Sequence, residues 1–327
     1  MTTQLCLFAL GESRGLGEEI GRALSVEPGE HEERDFEDGE HKSRPKVNVR
    51  GRDVFVVHSL FGEPGRSVND KLCRLLFFLG ALRDAAAARV TAVVPYLCYA
   101  RKDWKSKPRD PVTLRYVASL FEAVGVDRVV TVDVHNVPAF QNAFRCGTDH
   151  LEAKTLLLRH LQGTLADRDV AVVSPDVGGI KRADRFRDAL SRRIGGNVST
   201  AFMDKQRSEG VVRGDVLVGP VAGRIALLVD DLIGTGTTIR GASRACIAAG
   251  AREVHVAATH GLFVAGAAEV VADTAITRIV VTNTVPPFRL PPDLVERKLE
   301  LVDIAPFLAE SIRRIHQGGS LVELLEG

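Results

Sequence analysis

An acidic pair followed by a glycine- and threonine-rich run is the most distinctive chemical feature of this sequence. Asp230 and Asp231 come directly after the apolar stretch Ile225–Val229. The small and hydroxyl-bearing residues after them are Gly234, Thr235, Gly236, Thr237 and Thr238. Such a loop, where it opens a helix, offers backbone N–H groups, hydroxyls and the positive end of the helix dipole to a dianion. The carboxylates would repel that anion unless they face neutral sugar hydroxyls. We therefore expect a site for the 5-phosphate of a ribose, although a plain helix N-terminus with two exposed aspartates is the alternative.

Other residues with chemical potential follow other apolar runs or lie on polar stretches. His135 follows one apolar run and Asp176 follows another, although a lone histidine at a strand end is more often a core residue. Lys205 and Arg207 belong to the polar, loop-like stretch Asp204–Gly214, where two long cations are usually just solvated. If that stretch closed over a substrate, the same cations could face developing negative charge.

Short apolar runs alternate with longer helix-like segments, which is the βαβ rhythm of a mostly parallel sheet. In the first half we expect strands at Gln4–Ala9, Asp53–His58, Val90–Val94 and Arg128–Val132, and helices at Leu16–Ser25, Asp70–Ala88 and Thr113–Val124. In the second half we expect strands at Val170–Ser174, Val198–Phe202, Ile225–Val229, Glu253–Thr259 and Thr277–Thr282, and helices at His150–Leu161, Gly179–Ile194, Thr237–Ala249 and Ala265–Val271. Ligands bind beyond the carboxyl ends of strands in such sheets, which is where the candidate residues stand.

The length and the repeated plan indicate two domains. The chain has 327 residues, and its halves are similar in plan but not in residues. We expect an α/β fold with tandem domains at 1–149 and 150–303, each a mostly parallel sheet flanked by helices, and a tail at 304–327 that could pack on the first domain. The polar segment Glu27–Arg52 interrupts the pattern, and such an excursion is usually functional or mobile.

The bulk composition excludes several classes of function. The net charge is +1 and no basic patch is interleaved with aromatic residues, so we expect no nucleic-acid partner. No apolar run reaches the roughly 20 residues of a membrane span, and the N-terminus lacks the features of a signal peptide, so we expect a cytoplasmic protein. The five cysteines lack metal-ligand spacing, and we interpret them as reduced core residues.

The acidic pair and its loop resemble the phosphoribosyl-diphosphate (PRPP) binding motif of the type I phosphoribosyltransferase fold. Seven further stretches resemble the ribose-phosphate diphosphokinases, from Phe36 to about Ile315. They are FEDGE (Phe36–Glu40), NVRGRDVFVV (Asn48–Val57), VVPYLCYARKD (Val93–Asp103), VTVDVHN (Val130–Asn136), VVSPDVGGIKRA (Val172–Ala183), MDKQR (Met203–Arg207) and ATHGLF (Ala258–Phe263). The resemblance implies two phosphoribosyltransferase-like domains and transfer of a diphosphate from ATP to ribose 5-phosphate, which releases AMP.

The resemblance also implies roles for individual residues. His135 and Asp176 match residues that help hold Mg²⁺, and His135 would also contact ATP. Lys205 and Arg207 match a cationic pair on a mobile catalytic loop. The strand-end residues that match the ATP-binding part of the family pattern are Arg101, Lys102 and Asp103, although Lys102 stands where a glutamine is usual.

Phe36, Asp38 and Glu40 match residues that meet the adenine, with Phe36 stacking on the base. In the family a neighbouring subunit lends this hairpin. The resemblance therefore implies a homo-oligomer built from dimers, up to a hexamer, with shared ATP sites. A plain surface hairpin with its turn at Asp38–Gly39 is the alternative interpretation.

The sequence departs from the family pattern in its phosphate-binding and regulatory positions. Gly234 replaces an aspartate and Thr237 replaces a glycine in the loop. Asp84 replaces a basic residue and Val322 a serine of phosphate-activated members, although Arg50 and Ser320 match, so we expect activity that does not require inorganic phosphate and ADP inhibition that acts mainly at the active site. The segment Phe61–Ser67 looks longer than usual, and the sequence assigns it no role.

Two other functions remain open at this point. One is a phosphoribosyltransferase that consumes PRPP, and the ATP-side residues Phe36, Arg101 and His135 argue against it. The other is a catalytically dead regulatory homologue, which would be expected to have lost some of the cationic and acidic residues that this chain retains.

Overall fold

The computed structural model describes residues 4–208 and 211–326, with side chains for 4–204 and 216–325. The chain divides into two compact units. The first comprises Met1–Glu152 together with Ile304–Gly327, and the second comprises Ala153–Asp303. No helix in the described ranges combines the length and the apolar character that a membrane crossing requires.

The first unit is built on a five-stranded parallel sheet and a separate hairpin. Its strands are β1 (Leu5–Ala9), β2 (His31–Asp35), β3 (His41–Pro45), β4 (Asp53–Val57), β5 (Arg89–Val94), β6 (Arg128–Val132) and β7 (Gly147–Leu151). The sheet order is β1-β4-β5-β6-β7, while β2 and β3 pair with each other in antiparallel register as a separate sheet. The central strands are buried on both faces, which explains their continuous runs of valine.

Helices cover this sheet and return the chain to the start of each next strand. They are α1 (Arg14–Leu24), α2 (Val68–Asp84), α3 (Thr113–Ala123) and α4 (Val137–Ala143). A reciprocal capping box starts α2: the Ser67 hydroxyl accepts from the Asp70 amide, and the Asp70 carboxylate accepts from the Ser67 amide. Asn136 starts α4 in a similar way, because its side chain accepts from the Ala139 amide.

The second unit has a seven-stranded sheet that is parallel except at one edge. Its strands are β8 (Val170–Ser174), β9 (Val198–Ser208), β10 (Val211–Val218), β11 (Ile225–Ile233), β12 (Glu253–Gly261), β13 (Arg278–Thr282) and β14 (Leu299–Val302). The order is β10-β9-β8-β11-β12-β13-β14, with β10 antiparallel to β9. The helices are α5 (Lys154–Leu165), α6 (Ile180–Ser191), α7 (Thr237–Ala248), α8 (Ala267–Val271) and α9 (Pro292–Lys298). Parallel sheets flanked by helices confirm the predicted α/β class.

The C-terminal segment belongs to the first unit, where α10 (Ala305–Gln317) packs on α1 and α11 (Val322–Glu326) follows. A hydrogen bond from Arg89 to the Ile315 carbonyl, 3.1 Å long, ties α10 to the start of β5. His316 Nδ1 lies 2.7 Å from an oxygen of Asp53, which is almost fully buried. This tail therefore completes the first unit.

The structure corrects the predicted elements around the junction of the two halves. The helix predicted at His150–Leu161 is wrong at its start, because Gly147–Leu151 forms β7 and the helix begins at Lys154. A boundary at 149/150 would therefore cut β7, whereas the two units divide after Glu152. Polar residues such as Thr148 and Asp149 hide an edge strand from a search for apolar runs.

Two further expectations are wrong. The stretch Asp204–Gly214 was expected to be a loop, but its described backbone belongs to the paired strands β9 and β10. Residues 204–209 are all polar in sequence, so they carry no strand periodicity. Cys73 was interpreted as a core residue, yet it is exposed on α2, whereas Cys6, Cys98 and Cys246 are buried.

Candidate functional site

The acidic pair lies at the carboxyl end of β11 and is bridged by an arginine. Arg182, on α6, donates to Asp230 Oδ1 at 2.8 Å, and its other terminal nitrogen lies 3.1 Å from Asp231 Oδ1. The Asp231 amide also donates to Asp230 Oδ1 at 2.9 Å. Burial and the adjacent Asp231 carboxylate raise the pKa of Asp230 to about 8, against the opposing effect of Arg182. Burial beside a second carboxylate therefore favours the protonated form of Asp230.

The segment Gly234–Thr238, which we call the phosphate loop, is held by the backbone of its neighbours. The amides of Leu262 and Phe263 donate to the Ile233 carbonyl at 3.0 and 3.1 Å, and the Val264 amide donates to the Gly234 carbonyl at 3.1 Å. These donors follow directly after β12, the parallel neighbour of β11. The loop therefore rests on the edge of the sheet.

Gly236 makes the turn into α7 in a conformation that favours glycine. Its φ is +76°, and a Cβ at this position would lie 2.9 Å from a methyl of Val270. The helix begins at the next residue, Thr237, so the first amides of α7 open at the loop. A side chain at Gly236 would require both a strained backbone and movement of α8.

The loop hydroxyls face solvent while their neighbours anchor the loop. Thr235, Thr237 and Thr238 are exposed, whereas Ile233 and Ile239 are buried on either side of them. The Thr235 and Thr237 hydroxyl oxygens lie 3.2 Å apart. Hydroxyls and helix-end amides, the groups that commonly bind anions, therefore lie together in this loop.

Gly234, which departs from the family pattern, stands in open space. A Cβ there would meet only the Leu232 side chain, at an ordinary 3.8 Å. Its backbone is outside the left-handed region, so nothing in the described structure demands glycine at this position.

Asp176 follows β8, the other parallel neighbour of β11. Its Oδ1 accepts from the Gly179 amide at 2.9 Å, and its carbonyl accepts from the Ser174 hydroxyl at 2.6 Å. These bonds fix the carboxylate at the edge of the sheet that also carries Asp230. Sequence reasoning missed Arg182, although it lies within the quoted stretch VVSPDVGGIKRA; only the packing of α6 reveals its bridge.

No group of three or more carboxylate, histidine or cysteine side chains in the described ranges is arranged to hold a metal ion. Mg²⁺ commonly uses only one or two protein carboxylates and takes its other oxygens from water and substrate phosphates. A single ordered carboxylate such as Asp176 fits that mode of binding.

In the first unit, His135 follows β6 and is exposed. The turn before it includes Asp133 at φ +39°, whose amide donates to the Leu151 carbonyl at 2.9 Å, and the Val134 amide donates to His150 Nε2 at 3.2 Å. Strand β7, which the sequence did not predict, thus shapes the turn that presents His135. An exposed ring contradicts the interpretation of His135 as a core histidine.

Arg101, Lys102 and Asp103 follow β5 on a turn whose Tyr99 has a φ of +60°. Arg101 is exposed and Asp103 is half-buried. Lys102 Nζ, however, donates to Asp110 Oδ2 at 2.9 Å. This ion pair holds the pKa of Asp110 at about 2. In this structure Lys102 therefore binds a carboxylate of its own loop.

The segment Phe36–Glu40, which we call the hairpin tip, joins β2 to β3. The Phe36 amide donates to the Glu40 carbonyl at 2.8 Å, the Glu40 amide donates to Asp38 Oδ1 at 3.1 Å, and Gly39 takes a φ of +91°. All five residues are exposed, including Phe36 at 39%. The tip therefore presents an aromatic ring and carboxylates outward.

Lys205 and Arg207 lie on β9, where their backbones pair with Asp215 and Val212 of β10. Their side chains lie outside the described residues, so their predicted catalytic role stays a prediction.

Comparisons with known proteins cover both units. A family profile described as the N-terminal domain of ribose phosphate pyrophosphokinase matches residues 5–125, and one described as the phosphoribosyl synthetase-associated domain matches residues 205–326. A ribose-phosphate pyrophosphokinase of Rhodopirellula baltica is 39% identical over 98% of this chain and 98% of its own length. A second, from Caldanaerobacter subterraneus, is 37% identical over 99% and 98%.

A solved structure is similar over the same span. The crystal structure of phosphoribosylpyrophosphate synthetase from Mycobacterium smegmatis superposes with a TM-score of 0.88 at 36% identity. It covers 97% of this chain and 100% of that chain. The similarity therefore extends over sequence, over fold and over both units.

Proposed function

This chain belongs to the ribose-phosphate pyrophosphokinase family, and we propose that it transfers the diphosphate of ATP to the C1 hydroxyl of D-ribose 5-phosphate, giving PRPP and AMP. The observation that carries the proposal is the Arg182-bridged acidic pair beside a solvent-facing phosphate loop, in a chain similar to such enzymes from end to end. This activity supplies nucleotide biosynthesis, which fits a cytoplasmic enzyme.

The ribose 5-phosphate side follows from the geometry of the second unit. The phosphate accepts hydrogen bonds from the loop hydroxyls and from the first amides of α7. The ribose 2- and 3-hydroxyls meet Asp230 and Asp231, which Arg182 orients. Both ends of the sugar are then fixed, so the C1 hydroxyl is held in one orientation for the reaction.

The ATP side needs cations, because attack at the β-phosphorus builds charge on the non-bridging oxygens and on the departing AMP. Lys205 and Arg207 neutralise that charge, and Arg101 pairs with phosphate oxygens through its forked guanidinium. Asp103 assists in holding the nucleotide, as does Lys102 if it exchanges Asp110 for phosphate. Asp176 and His135 would each serve as a ligand of Mg²⁺, and bound Mg²⁺ would screen the phosphate charges.

The adenine is met by Phe36, Asp38 and Glu40 of the hairpin tip. An aromatic ring that is 39% exposed at the end of a hairpin is suited to stacking on a base supplied from outside its own sheet. We therefore propose a homo-oligomer built from dimers, up to a hexamer, in which one subunit's tip completes another subunit's ATP site.

One assay tests the proposed reaction. The protein is incubated with ATP, ribose 5-phosphate and Mg²⁺, and the products are followed by phosphorus NMR. We expect AMP and PRPP in equal amounts. ADP in place of AMP would indicate a simple kinase, and the absence of turnover would favour the PRPP-consuming or regulatory alternatives.

A further inference from the structure

The hairpin tip is exposed, but the residues on either side of it are anchored to α2 and to the segment before it. Asp35, the last residue of β2, forms ion pairs with Arg74 of α2 and with Arg66, whose Nη2 lies 3.2 Å away. His41, the first residue of β3, stacks on Phe77 of α2, with ring centroids 5.3 Å apart and planes inclined by 17°. Both ends of the five-residue tip are thus attached to one support.

Arg74 makes the attachment at Asp35 specific. Its residue surface is only 8% exposed, and within the described part of the chain its Nε and Nη1 atoms are buried without a hydrogen-bond partner. A buried cation needs a compensating carboxylate, so Asp35 is held where Arg74 requires it. The hydrogen bonds from Arg74 and Arg66 also hold the pKa of Asp35 below its usual range.

Arg66 is itself ordered by Phe61–Ser67, the segment to which the sequence assigned no role. The Glu63 amide donates to the Arg66 carbonyl at 2.9 Å, and the Arg66 amide donates back to the Glu63 carbonyl at 3.1 Å. Glu63 Oε1 lies 2.6 Å from Lys71 Nζ, and that nitrogen lies 3.6 Å from the centroid of the Phe61 ring. Lys71 is 1% exposed, so Glu63, whose backbone pairs with that of Arg66, is itself held by a buried ion pair.

An isolated two-stranded hairpin is marginally stable, and β2 and β3 form a two-stranded sheet of their own. Without external contacts the tip would lose conformational freedom each time it met a ligand, which lowers affinity. Contacts that order the tip beforehand remove that cost from binding.

We propose that Asp35, His41, Arg66, Arg74 and Phe77, which we call the tip clamp, form a positioning device that sets the affinity for the adenine nucleotide. The clamp preorders the hairpin tip and takes no part in the chemical step. The inference rests on the proposed function, because that function gives the tip its ligand.

The test compares variants in steady-state kinetics and in ATP binding measured by calorimetry. Arg66→Ala should raise the KM and Kd for ATP about two- to fivefold, as expected for loss of an exposed ion pair. Phe77→Ala should raise them by about the same factor through loss of the ring stack. The kcat and the KM for ribose 5-phosphate should not change, and Arg66→Lys should recover part of the loss.

Two matched controls separate the clamp from general damage. Arg44→Ala removes the ion pair of Arg44 with Glu32, 2.5 Å long, from the other end of the same hairpin. Tyr116→Ala removes an aromatic residue of α3 that is 57% exposed, much as Phe77 is 59% exposed on α2. Both should leave the affinity for ATP unchanged, and thermal unfolding checks that all five variants fold.

The outcomes distinguish the clamp from the proposed function. Unchanged ATP affinity in both Arg66→Ala and Phe77→Ala, or an equal loss in the controls, would overturn the clamp. A fall in kcat without a change in ATP affinity would also overturn it. If the wild-type chain makes no PRPP but binds ATP, the proposed function fails, and the calorimetric comparison still decides on the clamp; if it binds no ATP, both fail.

Discussion

The phosphate loop and the hairpin tip, assigned here to the two substrates, are supported by opposite means. The loop follows the central strand β11, and backbone amides of the segment after β12 donate to carbonyls at the start of the loop. The tip extends from a separate two-stranded sheet, and side chains hold its two ends. Ligand binding by a loop that the backbone holds should be sensitive to changes of φ and to Cβ atoms added within the loop. Ligand binding by a tip that side chains hold should be sensitive to truncation of those side chains, which lie outside the tip.

The proposed catalytic cations lie in neither region but on β9, so the largest loss of activity should come from a substitution there. Lys205→Ala should lower kcat about 10²- to 10³-fold, because one preorganised group that stabilises transition-state charge contributes about that much. The Kd for ATP, measured by calorimetry, should stay within about twofold. Lys46→Ala, which removes an exposed lysine from the first unit, is the control. Equal losses of rate and of ATP affinity would contradict the catalytic role of Lys205.

Gly236→Ala tests the backbone-held loop. We expect the KM for ribose 5-phosphate to rise about tenfold or more, since a left-handed alanine costs about 1–2 kcal/mol before its contact with Val270 is counted. The KM for ATP should change little. Gly223→Ala is the matched control, because Gly223 has a φ of +71° but open space around its Cβ position. A similar rise in both variants would mean that the loop conformation is unimportant for binding.

The acidic pair should make stability depend on pH. Because the pKa of Asp230 in the folded protein is raised to about 8, the folded state holds this proton more tightly than the unfolded state does. The contribution of Asp230 to stability is therefore complete below the ordinary aspartate pKa and is lost as pH rises through about 8. We expect the Tm of the ligand-free protein to fall between pH 5 and 8.5, by an amount that reflects about 1 kcal/mol or more. Asp230→Asn should reduce this slope in differential scanning calorimetry. An unchanged slope would show that the pair does not share a proton.

Gly234→Asp restores the residue usual in the family and should have a small effect. The open space around Gly234 predicts a folded protein whose KM for ribose 5-phosphate changes less than about fivefold in either direction, as for an exposed polar contact. Steady-state kinetics measures this directly. A loss as large as that of Gly236→Ala would show that the open space is needed by the ligand.

Inorganic phosphate should have the smallest effect. Asp84 is exposed at the end of α2, and Val322 is 59% exposed at the start of α11, so an acidic and an apolar side chain occupy the two departing positions. Like charge disfavours an anion at Asp84, and the rate should change less than about twofold in a phosphate titration. ADP should inhibit competitively with ATP. Strong activation by phosphate, or ADP inhibition that ATP does not relieve, would contradict both expectations.

The strand and the helix on either side of the phosphate loop could be predicted because the information for them is local. An apolar strand, an acidic pair and a glycine–threonine run follow one another within about one strand and one turn, and β11 and α7 lie where these signals require them. The strands of the sheet centres were also predicted, because burial on both faces leaves continuous valine-rich runs. Strands β7, β10 and β14 were missed: β7 is mostly polar, Arg213–Asp215 interrupt the apolar residues of β10, and β14 has only four residues.

What the sequence by itself determined is therefore the class of fold, the order of its central strands along the chain, and the residues at their carboxyl ends. Only the tertiary structure decided which residues distant in sequence contact the proposed sites. Arg182 contacts the acidic pair, and the tip clamp contacts the hairpin. The physical reason is that strand and loop formation depend on neighbours along the chain, which periodicity records. An ion pair between residues about 30 to 50 positions apart depends on how helices pack, and no local pattern records that.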